Sequence, residues 1–192
     1  CVLGSGAGDA LTTTNQAIAI GVNALGQATT QAHNCVAIGH SALSGAWSTA
    51  AAEGIVAVGA NAIAGVLTAD AVNSIGVGYN ALNALTEGLR NVAVGAYALD
   101  TCTTSDYNTA VGTSALTAVS TGAGSNVAVG YAAGTAINTG ASNVCIGYRA
   151  GDAFDTESNN IFVGANAGGG GSLAIGDSIG IGTSALSALT SG

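Results

Sequence analysis

The chain repeats one apolar phrase, in which β-branched residues alternate with small ones and a glycine closes the run. The most regular copies are NVAVG at 91–95, NTAVG at 108–112, NVAVG at 126–130, NVCIG at 143–147 and NIFVG at 160–164. This alternation is typical of a β-strand, whose successive side chains point to opposite faces. We therefore predict a short strand in the residues that precede each glycine.

The closing glycine marks the register of the repeat over residues 1–192. A Val, Ile or Leu stands immediately before it in every copy, and an Ala follows three residues after it. Eleven copies follow one another at spacings of 17 to 20 residues, which predicts a single repeat array. The register glycines are Gly4, Gly21, Gly39, Gly59, Gly78, Gly95, Gly112, Gly130, Gly147, Gly164 and Gly182.

One strand per copy cannot bury itself, but stacked copies can pair their strands about 4.8 Å apart. We predict an all-β fold, a parallel β-solenoid or left-handed β-roll of about eleven coils of 17–20 residues. The register glycine is expected at the bend that leaves each strand, where a positive φ or a close backbone approach excludes a Cβ atom. Eleven stacked coils would form a rod roughly 50 Å long.

Composition excludes several classes of function. Hydrophobic residues make up 48% of the chain and charged residues only 6%, and the formal net charge is −8. The acidic balance argues against nucleic-acid binding, which needs a basic face. The longest apolar run, 55–67, is interrupted by glycine and asparagine and is too short for a membrane helix, so we expect no membrane insertion.

Both faces of the predicted strand are apolar or small, although a coil has only one interior. One face can line the coil's own core, and the other face then needs a partner. A second copy of the chain is the simplest partner, and three copies around an axis would cover all the second faces at once. We therefore expect an intertwined or side-by-side homotrimer.

The phrase Asn-Thr-Ala-Val-Gly-x-x-Ala-Leu at 108–116, with its threonine-rich spacers, resembles the repeats of bacteriophage tail fibres and related trimeric fibre proteins. It is also similar to the β-roll heads of trimeric autotransporter adhesins, although the adhesin repeat is shorter. The resemblance implies a non-enzymatic fibre segment, either a shaft or an adhesive head, that mediates attachment to a host or surface. It implies an extracellular, cell-surface or virion location. Both ends are in register and uncapped, so we expect a segment of a longer fibre protein.

Two other functions stay open at this point. Left-handed β-helix acyltransferases repeat a hexad such as Ile20–Leu25, and His33 or His40 would be the general base of such an enzyme. That fold needs an aliphatic residue at every sixth position, whereas Asp100 and Asp106 occupy two of those positions. Ice binding is the other alternative, because threonine recurs in the spacers, although its offset within the copies varies.

Few side chains offer chemistry, and we predict no catalytic residue, cofactor or metal site. Exposed aromatic residues on a rod can stack on sugars, so Trp47, in the longest copy, and three tyrosines are candidate contacts to a glycan or protein receptor. The four cysteines occupy different repeat positions, so we expect buried thiols without disulfides within the chain. The carboxylates at 152–157 match no calcium-loop signature and are expected to be solvated. The three tyrosines, each directly after a register glycine, are Tyr79, Tyr131 and Tyr148.

One asparagine precedes each of the five most regular strands. Stacked asparagines can form an amide ladder, in which each side chain bonds its neighbours above and below. We predict such a structural ladder through Asn91, Asn108, Asn126, Asn143 and Asn160.

Overall fold

The computed structural model describes residues 1–11, 14–27, 32–45, 52–68, 72–170 and 176–187. These residues form strands and turns, and no helix occurs among them. The strands are β1 (Val2–Leu3), β2 (Thr14–Asn15), β3 (Ile18–Ile20), β4 (Ala32–His33), β5 (Val36–Ile38), β6 (Ala52–Glu53), β7 (Val56–Val58), β8 (Ile75–Val77), β9 (Val92–Val94), β10 (Thr109–Val111), β11 (Val127–Val129), β12 (Val144–Ile146), β13 (Ile161–Val163) and β14 (Ile179–Ile181).

One strand from each repeat copy joins a single parallel sheet of eleven strands. The order is β1-β3-β5-β7-β8-β9-β10-β11-β12-β13-β14, so each copy pairs with the next along the chain. Pairing joins equivalent residues, as in β9 and β10, where Ala93 lies opposite Ala110 and Val94 opposite Val111. The predicted parallel β-solenoid is therefore confirmed.

Among the described residues, a second parallel sheet accompanies only the first coils. It consists of β2, β4 and β6, and an isolated bridge from Glu53 to Val72 extends it by one coil. The sequence prediction of one strand per copy missed this sheet, because its two-residue strands lie in spacers without β-branched alternation.

Ten of the eleven register glycines meet both predicted requirements, and Gly182 meets only that of a positive φ. The φ angles of Gly95 and Gly112 are +136° and +137°, a conformation that side chains other than glycine rarely adopt. A Cβ atom on Gly95 would also lie 2.5 Å from the carbonyl oxygen of Gly112 in the next coil. Backbone conformation and stacking distance thus select glycine at the same place.

The strands turn their small residues inward and their β-branched residues outward. Ala93, Ala110 and Ala128, at the strand centres, are fully buried, whereas Val94 and Val111 are each 37% exposed. The sequence pattern predicts two unlike faces, but it does not indicate which of them lines the core.

The core is filled from the other walls of the coil. One buried column stands four residues after the register glycines and includes Leu99 and Leu116. A second column, seven residues after them, was not predicted because its residue type changes in every copy. With two larger side chains per coil already inside, a narrow close-packed core leaves room for only a small residue at most strand centres. The second column includes Leu85, Cys102, Val119, Ile137 and Phe154.

One coil that lacks the leucine has a larger side chain at its strand centre. Gly168 takes the leucine position in the coil whose strand centre is Phe162 rather than alanine. A Cβ atom on Gly168 would lie 2.7 Å from Phe154 Cε2 and 2.8 Å from the Phe162 ring. The two phenylalanine rings stack with centroids 4.4 Å apart and occupy the space that leucine fills in other coils.

Candidate interaction surface

The outward side chains of the large sheet form a continuous apolar surface, which we call the outer strip. It consists of the first and last residues of the three-residue strands β3, β5 and β7–β14. In the middle of the rod the last residue is 37–39% exposed in four successive strands. Nearly equal exposure in successive coils indicates a regular strip of Val and Ile that the chain's own core does not cover. These four residues are Val94, Val111, Val129 and Ile146.

Two corners border the outer strip in every coil. The leading corner is the residue five positions before the register glycine, and the trailing corner is the pair of residues that follows this glycine. The leading-corner residues Arg90, Tyr107 and Ser125 have φ angles of +54° to +60°, which marks a sharp bend before the strand.

The trailing corner carries the three tyrosines predicted as glycan contacts. Tyr79, Tyr131 and Tyr148 are 47–54% exposed. Tyr131 and Tyr148 come together in adjacent coils, where their rings stack with centroids 5.4 Å apart at 13°. Tyr79 instead packs edge-on against Tyr97, at 5.3 Å and 80°. Tyr97 was missed as a candidate because it lies one residue further from its register glycine.

The two arginines also lie in the corner columns. Arg90 stands 5.6 Å from the centroid of the Tyr107 ring, and its guanidinium donates a hydrogen bond of 2.9 Å to the Tyr107 hydroxyl. Arg149 Nε donates to Asp152 Oδ2 at 2.6 Å. The hydrogen bond to Asp152 raises the pKa of Arg149 above its ordinary value. Each cation is therefore held by a partner in its own chain.

The asparagines stack into the amide ladder that the sequence predicts. Asn126 Nδ2 donates to Asn108 Oδ1 at 3.2 Å, and the backbone N–H of Asn126 donates to the same oxygen at 3.1 Å. The second amide hydrogen of Asn126 reaches the Gly140 carbonyl at 2.9 Å. Bonds of the same type join Asn91 to Asn108, Asn126 to Asn143 and Asn143 to Asn160. The role of the ladder is structural, because all five side chains are buried.

The ladder and the second sheet occupy different parts of the rod. Ser74 begins the ladder, since its hydroxyl accepts the backbone N–H of Asn91 at 3.2 Å. The equivalent positions in earlier coils are Ala17, Cys35 and Ile55, which cannot form an amide ladder. These are the coils in which β2, β4 and β6 supply backbone pairing.

Three of the four cysteines are buried free thiols, as predicted, but Cys1 is exposed. Burial raises the pKa of the Cys102 and Cys145 thiols to about 12, and it also raises the pKa of Cys35. Because the thiolate is the reactive form, these three thiols are unreactive in the folded chain.

The remaining titratable side chains form no metal-binding cluster within the described residues. His33 Nδ1 is buried and has no hydrogen-bond partner, whereas His40 is exposed. Burial raises the pKa of the Asp100 carboxyl. No group of three or more His, Cys, Asp and Glu side chains in this part of the chain could hold a metal ion. Trp47, the fourth predicted glycan contact, lies outside the described residues.

Comparison with protein-family models, curated proteins and solved structures finds no match to this chain. Among the residues that the structure describes, no helix is long and apolar enough to span a membrane. The geometry of the rod itself therefore carries the functional argument.

Proposed function

We propose that this chain is a structural segment of a fibre, in which three copies pack side by side as the shaft of an extracellular, cell-surface or virion attachment structure. The proposal assigns it a mechanical role and no catalysis. The repeat phrase, which resembles that of trimeric fibre proteins, supports the assignment.

The outer strip is the observation that carries the proposal. The ten three-residue strands of the outer strip, about 4.8 Å apart and each roughly 10 Å long, give an apolar face of about 500 Å². A patch of this size lies at the upper end of those that monomeric proteins expose, and such patches often mark interaction sites. It also supplies much of the roughly 800 Å² per partner that a stable protein–protein interface buries.

The regularity of the strip favours a second copy as the partner. A surface that contacts every coil must repeat at the same spacing, about 4.8 Å. Another copy of this solenoid has that spacing along its whole length. Cyclic symmetry with three copies turns every outer strip toward a common axis and leaves none exposed.

Light scattering on the native protein tests the proposal, because the particle should have the mass of three chains of 18.0 kDa each. Val94→Asp with Val111→Asp should dissolve the trimer, since adjacent coils would then present buried carboxylates at the interface. A matched control places the same charges at exposed spacer positions, as Thr104→Asp with Thr121→Asp, and should leave the mass unchanged. A native particle with the mass of one chain would overturn the proposal, and so would a Val94→Asp/Val111→Asp variant of unchanged mass and thermal stability.

A further inference from the structure

The outer strip alone does not fix how far one copy can slide along another. Its side chains are Val or Ile in every coil apart from Thr109, and their exposure is nearly the same along the middle of the rod. A copy displaced by one coil, about 4.8 Å, would lose only the contacts of one terminal strand. A unique assembly therefore needs a second feature that does not repeat from coil to coil.

Tyrosine and arginine are exposed corner side chains that occur in some coils and not in others. All five tyrosines and both arginines of the sequence lie in the corner columns of five successive coils, those closed by Gly78 through Gly147. The tyrosines are 40–54% exposed and border the outer strip. Tyrosine and arginine are the residue types that contribute most to protein–protein binding energy, along with tryptophan.

Cyclic packing of parallel copies brings unlike corners together. Every outer strip faces the common axis, and every chain runs in the same sense around it. The trailing corner of one copy therefore adjoins the leading corner of its neighbour at the same height. The two corners of a coil lie at the same height, because they flank the same strand. The side chains that meet between copies are therefore the leading-corner and trailing-corner residues of the same coil.

At equal height, large corner residues meet small ones in the Gly112, Gly130 and Gly147 coils, whereas in the Gly95 coil Arg90 meets a trailing corner that contains Tyr97. In the Gly112 coil the leading corner is Tyr107 and the trailing corner begins with Thr113. In the Gly130 coil the sizes are reversed, with Ser125 in the leading corner and Tyr131 in the trailing corner. The Gly147 coil repeats that reversal with Ser142 and Tyr148.

A displacement by one coil removes this match. Sliding in one direction brings Tyr107 of one copy against Tyr97 of its neighbour, and sliding in the other direction brings it against Tyr131. These tyrosines are also restrained before assembly, since Tyr97 packs on Tyr79, Tyr131 on Tyr148, and Tyr107 bonds Arg90. Restrained side chains lose less conformational freedom on binding and cannot readily turn away from a clash.

We infer that the corner tyrosines, Tyr107 above all, set the axial register of parallel copies in the assembled fibre. This inference rests on the proposed self-association through the outer strip. The strip supplies affinity that is independent of register, and the corners supply specificity.

Cysteine cross-linking distinguishes the registers. Asn159 in the leading corner and Ala165 in the trailing corner belong to the same coil. In the variant Asn159→Cys with Ala165→Cys, a cross-link between neighbouring copies therefore shows that the copies are in register. Ser142→Cys with Ala165→Cys is the matched reporter for a shift of one coil. Each reporter also carries Cys1→Ser, which removes the exposed native thiol. Within one chain a whole strand, about 10 Å long, separates the reporter positions, so a cross-linker shorter than that joins only different copies.

Covalent multimers on denaturing gels should form at least about tenfold faster for the in-register reporter than for the shifted one. Tyr107→Ser should reduce this preference to less than about twofold while the light-scattering mass stays unchanged. Thr113→Tyr should suppress in-register cross-linking, because the new side chain would meet Tyr107 of the neighbouring copy at the same height. Adding Tyr107→Ser to this variant should restore the cross-link.

The possible outcomes separate this inference from the proposed function. A native particle of one chain refutes self-association itself. Three chains with equal cross-linking of both reporters, or with a preference that Tyr107→Ser leaves intact, overturn the register role alone. If Tyr131→Ser with Tyr148→Ser abolishes binding on a glycan array but leaves the cross-linking preference intact, these tyrosines serve recognition, and their register role is also overturned.

Discussion

Replacing Asn126 by alanine tests whether the amide ladder holds the later coils together. The Asn126 side chain donates to Asn108 Oδ1 and to the Gly140 carbonyl, and its Oδ1 accepts the backbone and side-chain N–H groups of Asn143. Asn108 Oδ1 and Asn143 Nδ2 keep other partners in the variant. The backbone N–H of Asn143 and the carbonyl of Gly140 lose theirs. A buried unpaired group costs about 1–3 kcal/mol, so Asn126→Ala should lower the free energy of unfolding by about 4 kcal/mol.

Asn160→Ala is the matched control at the end of the ladder. Among the described residues, Asn160 Oδ1 accepts only the N–H of Ser178, which is half-buried, and Asn143 Oδ1 keeps the backbone N–H of Asn160. The loss should be about 1 kcal/mol. Both variants are compared by urea denaturation at one protein concentration, because assembly links stability to concentration. If Asn126→Ala costs no more than Asn160→Ala, the ladder reasoning is refuted.

Asn126→Asp adds a pH dependence with a defined sign. Its carboxylate could still accept from Asn143 but could not donate to Gly140, and it would carry a charge in a buried site. Burial should raise the pKa of this carboxyl in the folded chain above the unfolded value of about 3.9. The variant should therefore be most stable below about pH 4 and lose stability as the pH rises through the folded-state pKa. Stability that is independent of pH relative to the parent protein would contradict a buried ladder.

Two further predictions concern the core. Phe162→Ala should lower the free energy of unfolding, measured by urea denaturation, by about 3–5 kcal/mol. Adding Gly168→Leu should recover part of that loss, because the coil then has the same pair of residues as Ala110 and Leu116. No recovery would contradict the compensation between strand centre and turn. A thiol reagent at pH 8 should modify Cys1 alone in the native protein, because burial raises the pKa of the other three thiols, and all four cysteines after unfolding. Peptide mass spectrometry measures the labelling of each cysteine. Labelling of Cys102 or Cys145 in the native protein would contradict the stacked core.

The features that repeat from copy to copy were the ones that could be predicted from the sequence. The register glycines, the strands before them and the asparagine ladder recur at fixed offsets, so their identity and spacing indicate their structure. Cys145 occupies a strand-centre position that is alanine in most copies, so its burial also follows from the repeat.

Features that vary between copies escaped prediction for a physical reason. The column that includes Leu85 and Phe154 varies in residue type, because packing constrains the total side-chain volume inside a coil and not the residue at one position. A larger side chain there is balanced by glycine elsewhere in the coil. The pairing of Arg90 with Tyr107 depends on which residues stacking brings together. Cys1 is exposed because it stands in the column of first strand residues, such as Ile18 and Ile161, whose side chains face outward.

The inward placement of alanine and the outward placement of valine connect folding with assembly. A core whose strand centres are mostly alanine gains little from burial there, while the larger apolar residues of the same strands stay in contact with water. Covering an outer strip of about 500 Å² at about 25 cal/mol per Å² would contribute roughly 12 kcal/mol per copy before the cost of association. That figure is comparable to the whole stability of an ordinary domain, about 5–15 kcal/mol. A chain with this distribution of side chains should therefore gain about as much from packing against its copies as an ordinary domain gains from folding alone, which is the energetic balance expected of a fibre subunit.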